Sequence, residues 1–436
     1  MRLGVLGLAV AAFCAASPAL AANCSLDEAD LPGRVATCER IIAAPGVTDD
    51  TAAQARVILA DAYGAAGKLE TALAQAEIAV KLAPKQPVAL VTRGQVLALM
   101  GRVDAALSDY DAAVGLDPTA GAARIRRGLI RYDRGDYEGA RRDFTVALDA
   151  DADDAAVYVA RARAIYVLGD SDSALDDMRK AERLEKFTAQ NLAFKGAILQ
   201  SLGRYPEALS AYNAALKFEP RNAPVLAVKG RVLFGMGLEQ EGETAFRAAQ
   251  RAEPDNEAGY LGLAEVQLAR GSAELAKATY EALLKRQPAH AEAREGLADA
   301  LLALGHPDEA IAILDALVKA APAEAGPYVV RGRAWAAKTD ETRALADYDK
   351  ALALAPQSIE ALYARGVLQA QAKHDAAALK DFDALLKLDE TDAAGLWWRA
   401  RVRLALGDAA GAKADRDAAQ KLAPDLIAEM DKSTGA

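Results

Sequence analysis

Small, large and proline positions recur along this chain every 34 residues, from residue 53 to residue 424, with no insertion or deletion. One comb of small residues runs Ala72, Ala106, Ala140, Ala174, Ala208, Gly242, Ala276, Ala310, Ala344, Ala378 and Ala412. A second runs Ala60, Gly94, Gly128, Ala162, Gly196, Gly230, Ala264, Ala298, Gly332, Gly366 and Ala400. A third places a large side chain at Tyr110, Phe144, Met178, Tyr212, Phe246, Tyr280, Leu314, Tyr348 and Phe382, and proline closes most units, as at Pro84, Pro118, Pro220 and Pro254. The pattern predicts two antiparallel helices per unit. Small residues on both helices let the backbones approach, the large side chain fills the wedge between neighbours, and proline stops the second helix.

Most units also carry a glycine between the two predicted helices, as in "MGRVD", "LGRYP" and "LGHPD", where a left-handed residue ends the first helix. Gly135 is that residue in "YDRGDYEGARRDF", so Arg134-Gly135-Asp136 reads as a turn and not as an adhesion tripeptide. The ninth and tenth units put Thr339 and Lys373 at this position, which marks those turns for a bend or for greater mobility.

A 34-residue unit with small residues at its eighth and twentieth positions, a large or aromatic one at the twenty-fourth and proline at the thirty-second resembles the tetratricopeptide repeat family. The resemblance covers eleven units, residues 53–426. It implies an all-α fold, a right-handed α-solenoid whose first helices line a concave groove, used in that family to bind peptides and proteins. The RNA-binding pentatricopeptide family has a longer unit and is not matched. Carried over from the family, the groove is lined by the second, fifth, ninth, twelfth and thirteenth positions. The fifth positions here are mostly apolar, from Val57, Val91 and Ile125 onward, with Glu295, Tyr363 and Trp397 as departures. The lysines and asparagines that some members use to clamp carboxylate tails are missing, so that activity is not implied.

Three clusters are candidates for partner binding on this groove. Units seven and eight offer Glu265, Glu292, Glu295 and Asp299, an acidic patch. The last units offer Tyr363, Trp397, Trp398 and Arg401, with Arg333 nearby. Between units three and six stand Tyr132, Tyr166, Phe194 and Phe234 beside Arg163 and Arg231. Aromatics with arginine are the composition of interface hot spots.

A basic residue precedes the small residue of many first helices, which invites a polyanion site. The repeats argue otherwise. Sixteen residues after Arg93, Arg127, Arg161, Arg331, Arg365 and Arg399 stand Asp109, Asp143, Asp177, Asp347, Asp381 and Asp415, whereas Lys195 and Lys229 are followed by Ala211 and Ala245. Arginine and aspartate come and go together, so pairs such as Arg127 with Asp143 read as structural bridges between the two helices of one unit. A planar guanidinium that binds a carboxylate with two prongs explains the choice of arginine.

Of the 436 residues 52% are hydrophobic but only 6% aromatic, a composition of small contacts that suits close-packed helices. A net charge of −10 excludes nucleic acid, which needs a basic surface. The opening "MRLGVLGLAVAAFCAASPALAA" has the form of a signal peptide, residues 1–21, cut after Ala21. Export to a bacterial periplasm follows as an expectation, with no integral membrane segment after cleavage. Residues 22–52 are expected to form an N-terminal cap, a helix over 31–44 pinned by a disulfide between Cys24 and Cys38. Such a link stabilises by roughly 3 kcal/mol on the chain-entropy model. Residues 427–436 read as a tail.

The sequence holds no phosphate loop, nucleophile elbow or metal-ligand spacing, and His290, His306 and His374 lie far apart beside turns. No enzyme, cofactor or metal is expected. The reading is a periplasmic, non-catalytic scaffold that binds a protein or peptide through its groove. A glycan or small ligand in an aromatic groove is the alternative, and support of an envelope complex a third.

Overall fold

The computed structural model describes residues 31–434 apart from residue 152. The expected signal segment and Cys24 lie outside the described residues. Twenty-four α-helices and no strand occur among the described residues, and they form two compact units that divide after Pro220. Each unit is a stack of helical hairpins, so the fold is an α-solenoid of helix-turn-helix repeats. The first unit holds the single helix Leu31–Ile42 and five hairpins, from Asp49–Ala65 with Leu69–Leu82 to Ala189–Ser201 with Tyr205–Phe218. The second holds six hairpins, from Ala223–Gly235 with Glu239–Ala252 to Ala393–Ala405 with Ala409–Leu422, and a final helix Pro424–Thr434.

Each first helix ends where the sequence requires a left-handed residue. Gly135 has φ 83°, and the Asp136 N–H closes the turn onto the Arg131 carbonyl at 2.8 Å. Thr339 and Lys373 take the same conformation, each at φ 61°, with equivalent bonds from Asp340 to Trp335 at 2.9 Å and from His374 to Gln369 at 2.8 Å. The expected bend is therefore absent, because the turn imposes its backbone on whatever residue occupies it. A β-branched side chain is strained there. Thr339→Gly should raise stability by about 1 kcal/mol in urea denaturation.

The ring positions show why the small residues recur. Phe246 is almost fully buried and lies between two glycines. A Cβ on Gly230 would stand 3.0 Å from its ring and one on Gly262, in the next repeat, only 2.1 Å. The ring thus spans the seam between consecutive first helices, and side chains larger than hydrogen there force it out.

All six arginine–aspartate pairs form as two-pronged bridges. Arg127 donates to Asp143 through Nε at 2.8 Å and Nη2 at 2.6 Å, and Arg93, Arg161, Arg331, Arg365 and Arg399 repeat the geometry. In all but Arg93 the remaining nitrogen reaches back to the preceding repeat. Arg127 Nη1 bonds Asp111 at 2.8 Å, Arg331 bonds Asp315 at 2.7 Å, Arg365 bonds Asp349 at 2.5 Å, Arg399 bonds Asp383 at 2.9 Å, and Arg161 reaches the Thr145 hydroxyl at 3.3 Å. One guanidinium therefore joins two helices of its own hairpin and the hairpin before it. Asp143 is a special case, since Arg124 at 3.1 Å and Arg131 at 2.8 Å also donate to it.

Both ends are covered by helices. Leu31–Ile42 packs Cys38, fully buried, near Leu59 and Ala55 of the first hairpin. At the other end, the last two residues of the stretch expected as a tail lie outside the described ones, and residues 427–434 belong to a helix that starts at Pro424. Its Ile427 is fully buried, and Asp431 accepts from Trp397 Nε1 at 2.8 Å and pairs with Arg416 at 2.5 Å. Asp431 lies 34 residues after Trp397, so this helix keeps the register of a further repeat's first helix.

Candidate functional site

In the first unit a cavity of about 550 Å³ runs along the first helices from Gln54 to Val157. The repeat places its lining in rows: Val88 and Ala122 at second positions, Val91 and Ile125 at fifth, Asp61 and Gln95 at ninth. The wall is mainly apolar, with Gln95, Thr92 and Arg126 presenting hydrogen-bonding groups and Asp61, Asp117, Asp151 and Asp154 giving it a net negative charge. The sequence reading saw Val91 and Ile125 as groove positions but singled out neither Gln95 nor Arg126. Each has neighbours in sequence that look the same, and only the stacking of the helices shows which ones share a concavity.

Further along the helix that bears Val157, Arg163 is buried to 6% exposure. Its guanidinium lies over the Phe194 ring at 4.9 Å, and Phe194 meets Tyr166 edge-on at 5.6 Å. Tyr132 is close enough that its phenol and the guanidinium feel one another's charge, and burial lowers the Arg163 pKa. Tyr132 also meets Tyr137 edge-on at 5.1 Å. Tyr132, Tyr166, Phe194 and Arg163 are thus one cluster. Arg231 and Phe234 belong to the second unit, where the charge of Arg231 acts on Glu265.

The second unit gathers the acidic residues. Arg333, grouped by sequence with the aromatics, instead bonds Asp299 at 2.5 Å and lies 3.4 Å from Glu360. Glu295 has no ion pair among the described residues, and its Oε1 occupies a notch left by Gly326, 2.7 Å from where a Cβ would stand. Burial first, then the charges of Asp299 and Glu360, push the Glu295 carboxyl up to about 7. Burial also raises Asp299, despite Arg333, and raises Glu265, which Glu292 raises further. A raised carboxyl binds protons more tightly folded than unfolded, so its cost is absent below about pH 4, grows as pH rises to about 7, and is constant above. Glu295→Gln should therefore raise stability at about pH 8 by about 1 kcal/mol, discounted for solvent access, and leave it unchanged near pH 4. Melting curves of the two proteins at both pH values provide the check.

Of the C-terminal aromatics Trp397 is packing, and for that residue the expectation from sequence is corrected. Trp397 is fully buried under the final helix, and Trp398 stacks on Phe382 at 6.5 Å and meets Trp397 edge-on at 5.1 Å. Tyr363 packs in the same cluster, and Arg401 lies over both indoles, 4.8 Å from Trp397 and 5.7 Å from Trp398. Trp397 offers no surface to a partner because the helix Pro424–Thr434 already covers it.

Hairpins stacked in a fixed register, with small residues at the seams and a groove along the first helices, define a helical-repeat scaffold suited to protein–protein interaction. The tetratricopeptide repeat profile matches residues 59–121 and 261–325, and that of the tetratricopeptide repeat-like domain matches residues 117–233. The chain belongs to the tetratricopeptide repeat family. Among solved structures it is similar to a tetratricopeptide repeat protein from Parabacteroides merdae ATCC 43184, at 19% identity and TM-score 0.50, over 57% of this chain and 98% of that one. It is also similar to yeast Tom70, at 14% identity and TM-score 0.48, over 91% of this chain and 94% of that one. These likenesses concern the fold alone. No curated protein matches the chain.

Proposed function

We propose that the protein is a periplasmic, non-catalytic adaptor that holds an extended peptide segment of a partner protein in the groove between Gln54 and Val157. The observation that carries this reading is the groove itself: apolar residues repeat along it at one step per hairpin, with Gln95 and Arg126 among them. An extended chain presents side chains and backbone groups at regular steps, and a wall that is mostly apolar with a few polar groups is the usual make-up of such a site. Periplasmic location rests on the signal-like residues 1–21. A disulfide between Cys24 and Cys38 would fit that compartment. The alternative, a glycan or small ligand in an aromatic groove, loses one of its rings to the burial of Trp397.

A photoreactive amino acid at Gln95, compared with one at the exposed Arg141 on a second helix, tests the proposal in intact cells. A partner band specific to position 95, recovered from the periplasmic fraction, is the expected result. Identical bands at both positions, or none at position 95, would overturn it.

A further inference from the structure

The cavity of the first unit combines an apolar floor with carboxylates at helix ends. Val91, Ile125 and Val157 form the floor, one from each of three successive first helices. Asp117 and Asp151, one repeat apart, close second helices, and Asp154 caps the first helix that carries Val157. Each carboxylate is fixed by its own turn. Asp117 accepts from the Thr119 hydroxyl at 2.7 Å and N–H at 2.8 Å, which hold its carboxyl below the usual range. Asp151 accepts from the Asp153 N–H at 3.1 Å, and Asp154 from the N–H groups of Ala156 at 2.9 Å and Val157 at 3.1 Å. None of the three has an ion-pair partner among the described residues; Arg124 favours the charge of Asp117 from a distance but bonds Asp143. Asp61 lines the same cavity, and Arg126 is the one cation among the described residues of its lining. A polar group is also left unmet there. Thr92 is 3% exposed, lines the cavity and makes no hydrogen bond through its hydroxyl among the described residues. A buried hydroxyl without a partner costs free energy that a polar group of a ligand recovers.

We infer that the segment held in this cavity is basic as well as apolar: its lysine or arginine side chains meet Asp117, Asp151 and Asp154, its apolar side chains lie on Val91, Ile125 and Val157, and a backbone group meets the Thr92 hydroxyl. The inference rests on the groove reading above and specifies its partner. Carboxylates tied by backbone N–H groups stay ionised and cannot swing away, so a cation that arrives finds them already in place. A concave wall of low polarity focuses the field of like charges where open water would screen it. An acidic segment meets the same carboxylates as repulsion, and a neutral one gains the floor alone.

The probes are three octapeptides with a neutral N-terminal fluorophore and an amidated end, in which valine alternates with lysine, glutamine or glutamate. Wild-type protein should bind the lysine peptide at least about tenfold more tightly than the glutamine peptide at low salt, and the glutamate peptide most weakly. Rising salt should shrink the preference. Asp117→Asn, Asp151→Asn and Asp154→Asn combined keep the size and capping of these side chains and should erase the preference, with the glutamine peptide bound as by wild type. Asp104→Asn, Glu138→Gln and Asp176→Asn combined remove the same charge from exposed positions on second helices and should retain it. Arg126→Gln, which spares every helix cap, should enlarge it. A glutamine peptide that crosslinks to a photoreactive residue at position 95 and binds as tightly as the lysine peptide overturns the basic partner and leaves the groove reading intact. A lysine preference that the second-helix variant also loses overturns the assignment to these three carboxylates. No binding or crosslinking by any of the peptides overturns both readings.

Discussion

Replacing Asp143 with alanine should lower stability by about 3–5 kcal/mol, among the largest effects of any single charge removal in this chain. The carboxylate is 1% exposed and accepts from Arg124, Arg127 and Arg131. Its loss leaves three guanidinium groups close together around a cavity, with Asp111 the nearest remaining counter-charge for Arg127. The matching change Asp177→Ala, which strands Arg161 with only the Thr145 hydroxyl, should cost less because one arginine is involved. The comparison separates a network from a pair. Urea transitions of the two variants, followed by circular dichroism, decide it: equal midpoints would show that the three arginines on Asp143 act no differently from one.

Trp397→Ala should cost about 3–5 kcal/mol, confined to the C-terminal hairpins. The indole fills the seam between the last hairpin and the final helix and donates to Asp431, so its removal opens a cavity and leaves that carboxylate with Arg416 alone. Trp397→Phe keeps part of the ring packing and should lose about 1–2 kcal/mol, mainly the hydrogen bond. Because repeats contact only their neighbours, hydrogen exchange should quicken in residues 359–434 and stay unchanged in the first unit. A uniform change would contradict the local account. The same variant tests the reassignment of Trp397 from groove to core, since crosslinking at Gln95 should persist.

What could be read from the sequence is what the repeat presents many times. Hairpins, ring positions, glycine turns and the Arg–Asp bridges each recur, so every repeat is a separate sample of one contact. Arg127 and Asp143 were visible as partners because five other pairs shared their spacing. The bond from Arg127 to Asp111 has the same sixteen-residue spacing in the opposite direction, and Asp315, Asp349 and Asp383 carry the same signal. Contacts that occur once left no such trace. Glu295 fits a notch because Gly326 happens to start the next first helix, and Trp397 is buried because a final helix keeps the repeat's register without its consensus residues. Thr339 and Lys373 misled for the opposite reason: the residue departed from the pattern while the backbone did not.

The back-reaching bonds of the ladder are not evenly distributed. They join neighbours in the repeats of Arg127, Arg161, Arg331, Arg365 and Arg399, and among the described residues are missing at Arg93 and where the position holds Leu263 or Leu297. In a chain whose folding is a sum of repeat and interface energies, weak interfaces are where cooperativity breaks. In the repeats between residues 257 and 324 exposed pairs tie neighbouring hairpins instead, Arg270 with Glu243 at 2.9 Å and Arg286 with Asp255 at 2.9 Å, so these are the seams that salt should loosen, while the partly buried staples are screened little. Unfolding by force should move into this segment as salt is raised and advance in steps of one hairpin.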